Sequence, residues 1–297
     1  MDLGTPLRVI RALPTRDGRA NYRNAFHLKR WDFAKRLYGD RGVPGRILGK
    51  IPIVLNPRDN VVSRPIFLSG AFEEAELNFI SGTLKPGMVA ADIGANIGVH
   101  TLVMATAVGA SGSVHAFEPS AAFAWLRRNI RRNSFEQVVI GNEMAIGSQT
   151  GTIKLNKCTE GNEAFTSSSE PLFGSCHETF ESRAITLDEY AQSNHVLKFD
   201  LVKIDVEGHE LQVFEGCEKL FARRAIRCIM FEVNNTCLKR AGTTSSRLVT
   251  LLRERNFALH ILDNGGALKT CPGEPGGDWT TIIASQAPIV SAFSSHI

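Results

Sequence analysis

The sequence predicts an α/β fold built on a mostly parallel sheet with helices on both faces, and three observations carry that prediction. Two apolar stretches, MVAADIGANIG at 88–98 and FDLVKIDVEG at 199–208, lack the alternation of a half-exposed strand and end on an acid followed by glycine. Such runs suit strands buried on both faces. Further short apolar segments alternate with helical patterns, which right-handed crossovers assemble into a parallel sheet. Finally, 297 residues with 43% hydrophobic content suffice for one large core and a small extra lobe.

Residues 1–20, rich in Arg, Gly and Pro, read as irregular. From Asn21 to Tyr38, Tyr22, Phe26, Phe33 and Leu37 recur at steps of four and seven, the apolar stripe of an amphipathic helix stopped by Gly39 and the turn at Gly42 and Gly45. The segment from Ile47 to Leu68, interrupted by Pro52 and Pro57, reads as short strands of an accessory sheet. Phe72, Leu77, Ile80 and Leu84 mark a helix ended by Lys85-Pro86-Gly87. After the strand at 89–93 come a helix from Val99 to Val108 and a second strand, SVHAFEP. A helix capped by Ser120 runs to Asn133, a third strand spans Gln137 to Ile140, and GTIKLN forms an extra short strand. Residues 157–183, rich in Thr, Ser, Glu and Gly, are expected as a long loop, either a lid or acceptor-binding segment or plain disorder. ITLDEYAQ is a short helix capped by Thr186. The strand from Leu201 to Val206, a helix from His209 to Leu220, the strand CIMFEVN and a helix from Ser245 to Arg255 follow. Strands near Leu259–Leu262 and Trp279–Ala284 close the series as an antiparallel pair.

Six cysteines without a CxxC pair read as reduced packing residues, so a reducing, cytoplasmic compartment is expected. No run approaches the roughly 20 apolar residues of a membrane span, and the N-terminus lacks the apolar core of a secretory signal. The first 50 residues hold twelve Lys and Arg against four Asp and Glu, whereas the remainder is acidic. A solvated lobe accounts for that basic arm, and attraction to an anionic acceptor or peripheral contact with a membrane surface is the functional alternative. No nucleic-acid module is present in motif or composition, so no nucleic-acid partner is expected.

The chemistry concentrates at the strand ends. Gly94 and Gly98 allow positive φ or close approach to a ligand, and Asp92 ends its strand where α/β sheets place their sites. Glu118 closes the second strand 20 residues after Gly98, the distance at which an acid reaches ribose hydroxyls. A dinucleotide fingerprint needs G-x-G-x-x-G, but Asn96 stands where the middle glycine would be, and no GxxxxGK[ST] exists for a P-loop. An acid at 92 without a pyrophosphate cradle suits a nucleoside with an amino-acid tail, S-adenosylmethionine, with Asp92 receiving its ammonium and Glu118 its ribose.

The set DIGANIG at 92–98, FEP at 117–119, AIG at 145–147, TLDEY at 186–190 and KIDVEGHE at 203–210 resembles the FkbM family of S-adenosylmethionine-dependent methyltransferases, over about residues 66–285. The resemblance implies a class I methyltransferase, Rossmann-like fold with a seven-stranded sheet, and O-methylation of a hydroxyl on a sugar, glycolipid, glycan or related secondary metabolite. It implies cofactor roles for Asp92, Gly94, Asn96, Gly98 and Glu118, with Glu143 and Ala145 flanking the adenine. A basic N-terminal part at 1–70, the methyltransferase domain at 71–287 and a tail at 288–297 are the expected divisions.

Methyl transfer to a hydroxyl needs proximity and a proton acceptor. Asp205 at the strand end is expected to contact the cofactor's methionine or the acceptor, and Glu207 or His209 to take the proton. The Asp-x-Glu-x-His spacing is not diagnostic of a metal site, and none is expected. Duller roles stand beside these: Asp92 as a helix cap, Glu118 as a turn residue, His209 as an exposed polar group, His100 and His115 as packed side chains, Glu73 as a solvated helix start. Two rival readings remain, a nicotinamide-dependent oxidoreductase and a catalytically inactive binding protein.

Overall fold

Successive residues of each central strand point to opposite sides of one sheet, and each side is closed by its own helical layer. The computed structural model describes residues 20–70, 72–158, 166–167, 177–271, 273–275 and 278–286. Five strands form the parallel centre: β3 (Val89–Ile93), β4 (Ser113–Phe117), β5 (Val139–Asn142), β10 (Leu201–Ile204) and β11 (Cys228–Val233). β14 (Thr280–Ser285) lies antiparallel between β11 and β12 (Ala258–Leu262), and β13 (Leu268–Thr270) edges β12. The order is β13-β12-β14-β11-β10-β3-β4-β5. This is the expected class I methyltransferase sheet with an eighth short strand, β13, added at one edge.

The period of two is visible in the packing. Ala90, Ala116, Leu201 and Met230 join the cluster under α3 (Glu74–Thr83), α4 (Val99–Val108) and α5 (Ala122–Arg132). Ala91, Phe117, Val202 and Phe231 join the opposite cluster, under α6 (Leu187–Ser193), α7 (Glu210–Glu215), α8 (Glu218–Ala222) and α10 (Ser245–Glu254). Each fully buried Leu, Ile or Phe in these layers contributes about 1.5–3 kcal/mol. Thr186 caps α6 through its hydroxyl, which accepts from the Glu189 amide, as its sequence foretold.

The N-terminal part packs on the first of these layers. α1 (Ala20–Tyr38) buries Trp31 and Ala34, while Phe33 and Leu37, two of the residues expected on its apolar stripe, are exposed. The seam that finds a partner runs through Trp31, which stacks near Phe67 and donates to Asn60. β1 (Val43–Ile47) and β2 (Ile51–Leu55) make an antiparallel hairpin, and α2 (Ser63–Ser69) is a helix where strand was expected. Asn129 of α5 pins the hairpin: its amide accepts from the Val54 N–H and donates to the carbonyls of Val54 and Ile97. A side-chain amide thus completes β2 and ties it to the turn after β3.

Four further differences from expectation have local causes. The helix expected over His209–Leu220 is two helices, α7 and α8, divided at Gly216, where a Cβ would lie 2.2 Å from the Gly147 carbonyl. α5 begins at Ala122 rather than Ser120, although the Ser120 hydroxyl still accepts from the Ala122 amide. α9 (Asn235–Arg240), capped by Asn234, was not foreseen. The stretch at 157–183 includes the end of β7 (Gly151–Cys158), β8 (Thr166–Ser167) and most of β9 (His177–Ile185) instead of an unbroken loop, and with β6 (Ala145–Ile146) these build a second sheet in the order β6-β9-β7-β8. Of the loop expected at 157–183, residues 159–165 and 168–176 lie outside the described residues, as do residues 1–19 of the segment expected at 1–20 and the tail at 288–297.

Candidate active site

The C-terminal ends of β3, β4 and β10 meet at one edge. The turn after β3 places Gly94, Asn96 and Gly98 all at positive φ. The amides of Gly94 and Ala95 both donate to the Phe117 carbonyl, so the turn is fastened to the end of β4. A Cβ on Gly94 would stand 1.9 Å from the Asp205 carbonyl oxygen, so only glycine lets the tips of β3 and β10 close on each other.

Glu118 is nearly fully buried and held by two backbone amides and the Ser120 side chain. One carboxylate oxygen accepts from the Asn96 amide and the other from the Ser120 amide, each at 2.8 Å. Burial raises its proton affinity, and the Ser120 side chain and those two amides oppose the rise. The carboxylate retains an acceptor site for a further donor. Asp92 is completely buried; Thr101 of α4 donates to one oxygen at 2.5 Å, and the other has no hydrogen-bond partner among the described residues.

The tip of β10 carries the opposite kind of arrangement. Lys203, buried and in register with Asp92, reaches 3.0 Å from the Asp205 carboxylate. Burial alone would lower its affinity for a proton, but the carboxylates of Asp205, Asp92 and Glu73 more than reverse this and keep it an ammonium. Glu207 adopts positive φ and accepts from the Cys237 thiol. Burial, then the charges of Asp205 and Glu210, push its carboxyl well above the ordinary range. Glu232 of β11 is raised in the same way, by burial and by Asp205, Glu73 and Glu207. Glu210 reaches back to the amides of Val206 and Gly208, and burial lifts it to about 7. Glu73, at positive φ before α3, pairs with His100 of α4 at 3.1 Å.

The edge therefore brings together Asp92, Gly94, Asn96, Gly98, Glu118, Asp205 and Glu207. His209 precedes α7, with its ring bonded to Gln212 and its basicity lowered by burial. Glu143 is exposed beyond β5, whose Asn142 carbonyl accepts from the Glu118 amide, and Ala145 is half-buried at the start of β6. His115 is packed against Tyr190 and Phe199, and burial lowers it to about 4. His100 is packed too, yet it also faces an acid.

Sequence reasoning did not single out Lys203, Glu232, Glu210 or Thr101. One signal was present: a lysine inside the apolar run LVKI of a sheet covered on both faces has to be paired. Among the described residues, no group of three or more His, Cys, Asp or Glu is disposed to hold a metal ion.

A doubly wound sheet whose first turn is clamped to an acid at the end of the second strand defines a class of α/β proteins that take nucleoside ligands at this edge. Within that class the particular assignment is direct: a family model described as the methyltransferase FkbM domain matches residues 92–259, and the chain belongs to that family. It is similar to hexuronic acid methyltransferase AglP of Haloferax volcanii, with 26% identity over 174 residues, 57% of this chain and 63% of that protein. The chain thus spans less than two thirds of that relative's length. Among solved structures it resembles methyltransferase FkbM from Methylobacillus flagellatus, with 12% identity and a TM-score of 0.42 over 77% of this chain and 56% of that one. It also resembles a SAM-dependent O-methyltransferase from Thermotoga maritima, with 13% identity and a TM-score of 0.43 over 76% of this chain and 71% of that one.

Proposed function

We propose that this chain is an S-adenosylmethionine-dependent methyltransferase acting on a hydroxyl of a sugar, glycan or related metabolite. The observation that carries the reading is the surplus of acid at the sheet edge. Glu73, Asp92, Asp205, Glu207 and Glu232 gather around the ammonium of Lys203, and burial and mutual repulsion raise two of them. Such a cluster favours a cationic ligand. The unpartnered oxygen of buried Asp92 and the fixed carboxylate of Glu118 suit the ammonium and the ribose hydroxyls of that cofactor.

When bound, the cofactor supplies a methyl group made electrophilic by its positive sulfur. Asp92 and Glu118 bind and orient the two ends of the ligand, with Gly94, Asn96 and Gly98 shaping the backbone between them and Glu143 and Ala145 beside the base. Lys203 holds Asp205 in place at the strand tip. Glu207, whose raised proton affinity matches the task, takes the proton released by the acceptor hydroxyl as its oxygen is alkylated. His209, neutral under the same conditions, is the other candidate for that proton. The family membership and the sugar-directed relative support the acceptor class.

Calorimetry with S-adenosylmethionine, S-adenosylhomocysteine and NAD, followed by labelled methyl transfer to monosaccharides, uronic acids and glycan extracts, tests the reading. Binding of the first two and label in a carbohydrate fraction are expected. Absence of heat with either of them, or binding of NAD instead, overturns the cofactor assignment. Label confined to non-carbohydrate products overturns the acceptor class.

A further inference from the structure

One face, made by α1 and the neighbouring side of α5, combines exposed apolar groups with unneutralised positive charge. Phe33 and Leu37 are 67% and 54% exposed and stand four residues apart, one turn along α1. Beside Leu37 opens a groove of about 550 Å³ whose lining includes Arg36, Arg41 and Arg128. Arg128 is held there by Trp125, whose ring centre is 5.6 Å from its guanidinium carbon. Trp125 in turn fits against Gly42, where a Cβ would come within 2.5 Å of the ring. The two acids of this region are already engaged, Asp32 with Lys35 and Asp40 with Arg58, so they do not cancel the three arginines.

Charge decides what covers such a face. Residues 1–19 carry four Arg against two Asp, and residues 287–297 contain no Lys, Arg, Asp or Glu, so neither of these segments offers the complement. A second copy related by a two-fold axis would bring the same arginines against these. The complement is an anionic surface that also accepts two apolar side chains without needing a pocket to meet them. We propose that this face docks the protein on an anionic lipid bilayer, with Phe33 and Leu37 entering the headgroup boundary and Arg36, Arg41 and Arg128 on lipid phosphates. The docking is independent of the reaction assigned above.

Co-sedimentation of the full chain with vesicles tests it, comparing phosphatidylcholine alone with the same lipid containing about one third phosphatidylserine. Binding to the anionic vesicles at least about tenfold stronger than to the neutral ones, and weakening with salt, is expected. The F33S/L37S variant should lose about tenfold in partitioning. The R36Q/R41Q/R128Q variant should lose about fivefold per charge, and all three chains should melt alike because the replaced groups are exposed. F33L should bind as the parent does. Failure to pellet with either vesicle, equal pelleting of parent and variants, or displacement by RNA or polyglutamate at lower concentration than by anionic vesicles would overturn the proposal. So would a dimer that F33S/L37S abolishes, which would give the face to a second copy.

Discussion

The turn after β3 and the tip of β10 touch through Gly94 and Asp205, yet they handle buried acid in contrasting ways. At the first, Glu118 has each oxygen met by a backbone amide, and the turn itself hangs from the Phe117 carbonyl. At the second, Asp205, Glu207 and Glu210 crowd one segment with Glu73 and Glu232 nearby, and among the described residues Lys203 alone supplies buried Lys or Arg charge. Under the proposed function the difference separates two tasks. A carboxylate held by main chain keeps its position, whereas carboxyls balanced against one another change protonation readily and respond to any cation that arrives. Holding a ligand requires the first property, and moving a proton requires the second.

That contrast can be broken most sharply at Glu207. E207Q should lower turnover by about 10²–10⁴-fold while leaving cofactor affinity within about twofold, since the holding half is untouched. Calorimetry beside single-turnover kinetics reads both, and an unchanged rate would shift the proton to His209. A second effect falls on Lys203. K203M leaves the half-buried Asp205 beside other carboxylates without its ammonium, and should cost about 1–3 kcal/mol near neutral pH in denaturant unfolding. That loss should shrink as the pH falls and the acids take up protons.

Glu210 sharpens the comparison through pH. Its folded value of about 7 lies above the unfolded value of 4.5, so its contribution is fully present below about pH 4.5 and is lost as the pH rises through 7. The ligand-free protein should lose about 3 kcal/mol of stability from this group over that window. E210Q, which still accepts from the Val206 and Gly208 amides, should flatten the slope; an unchanged slope would assign it elsewhere. The smallest effect belongs to the holding half. N96A places an alanine at φ 49° and should cost about 1 kcal/mol by thermal unfolding, whereas N96G should be nearly neutral.

Much of the sheet was legible because its signals are local. Runs such as VAADI and LVKI announce strands buried on both faces, and DIGANIG writes positive φ directly into its glycines and asparagine. Asp92, Asp205 and Glu207 were legible singly, but their gathering with Glu73 and Glu232 was not, because the members come from the segment before α3, from β3 and β11, and from the loop after β10; no spacing along the chain relates Glu73 to Glu232. The stripe on α1 misled for a different reason. Periodicity identifies a face that is apolar, and Phe33 and Leu37 satisfy it, but the core took the neighbouring face through Trp31 and Ala34.

The position of β14 carries a consequence for how the chain is made. β12 reaches β11 solely through β14, which is synthesised last of the three and inserts between them. While the ribosome is still adding residues before Thr280, β11 has a bare edge and β12 has no neighbour on its inner side. A nascent or prematurely terminated chain therefore presents an open, mostly apolar gap, IMF on one bank and LHIL on the other. That gap is a natural foothold for chaperones and for mispairing with another unfinished copy.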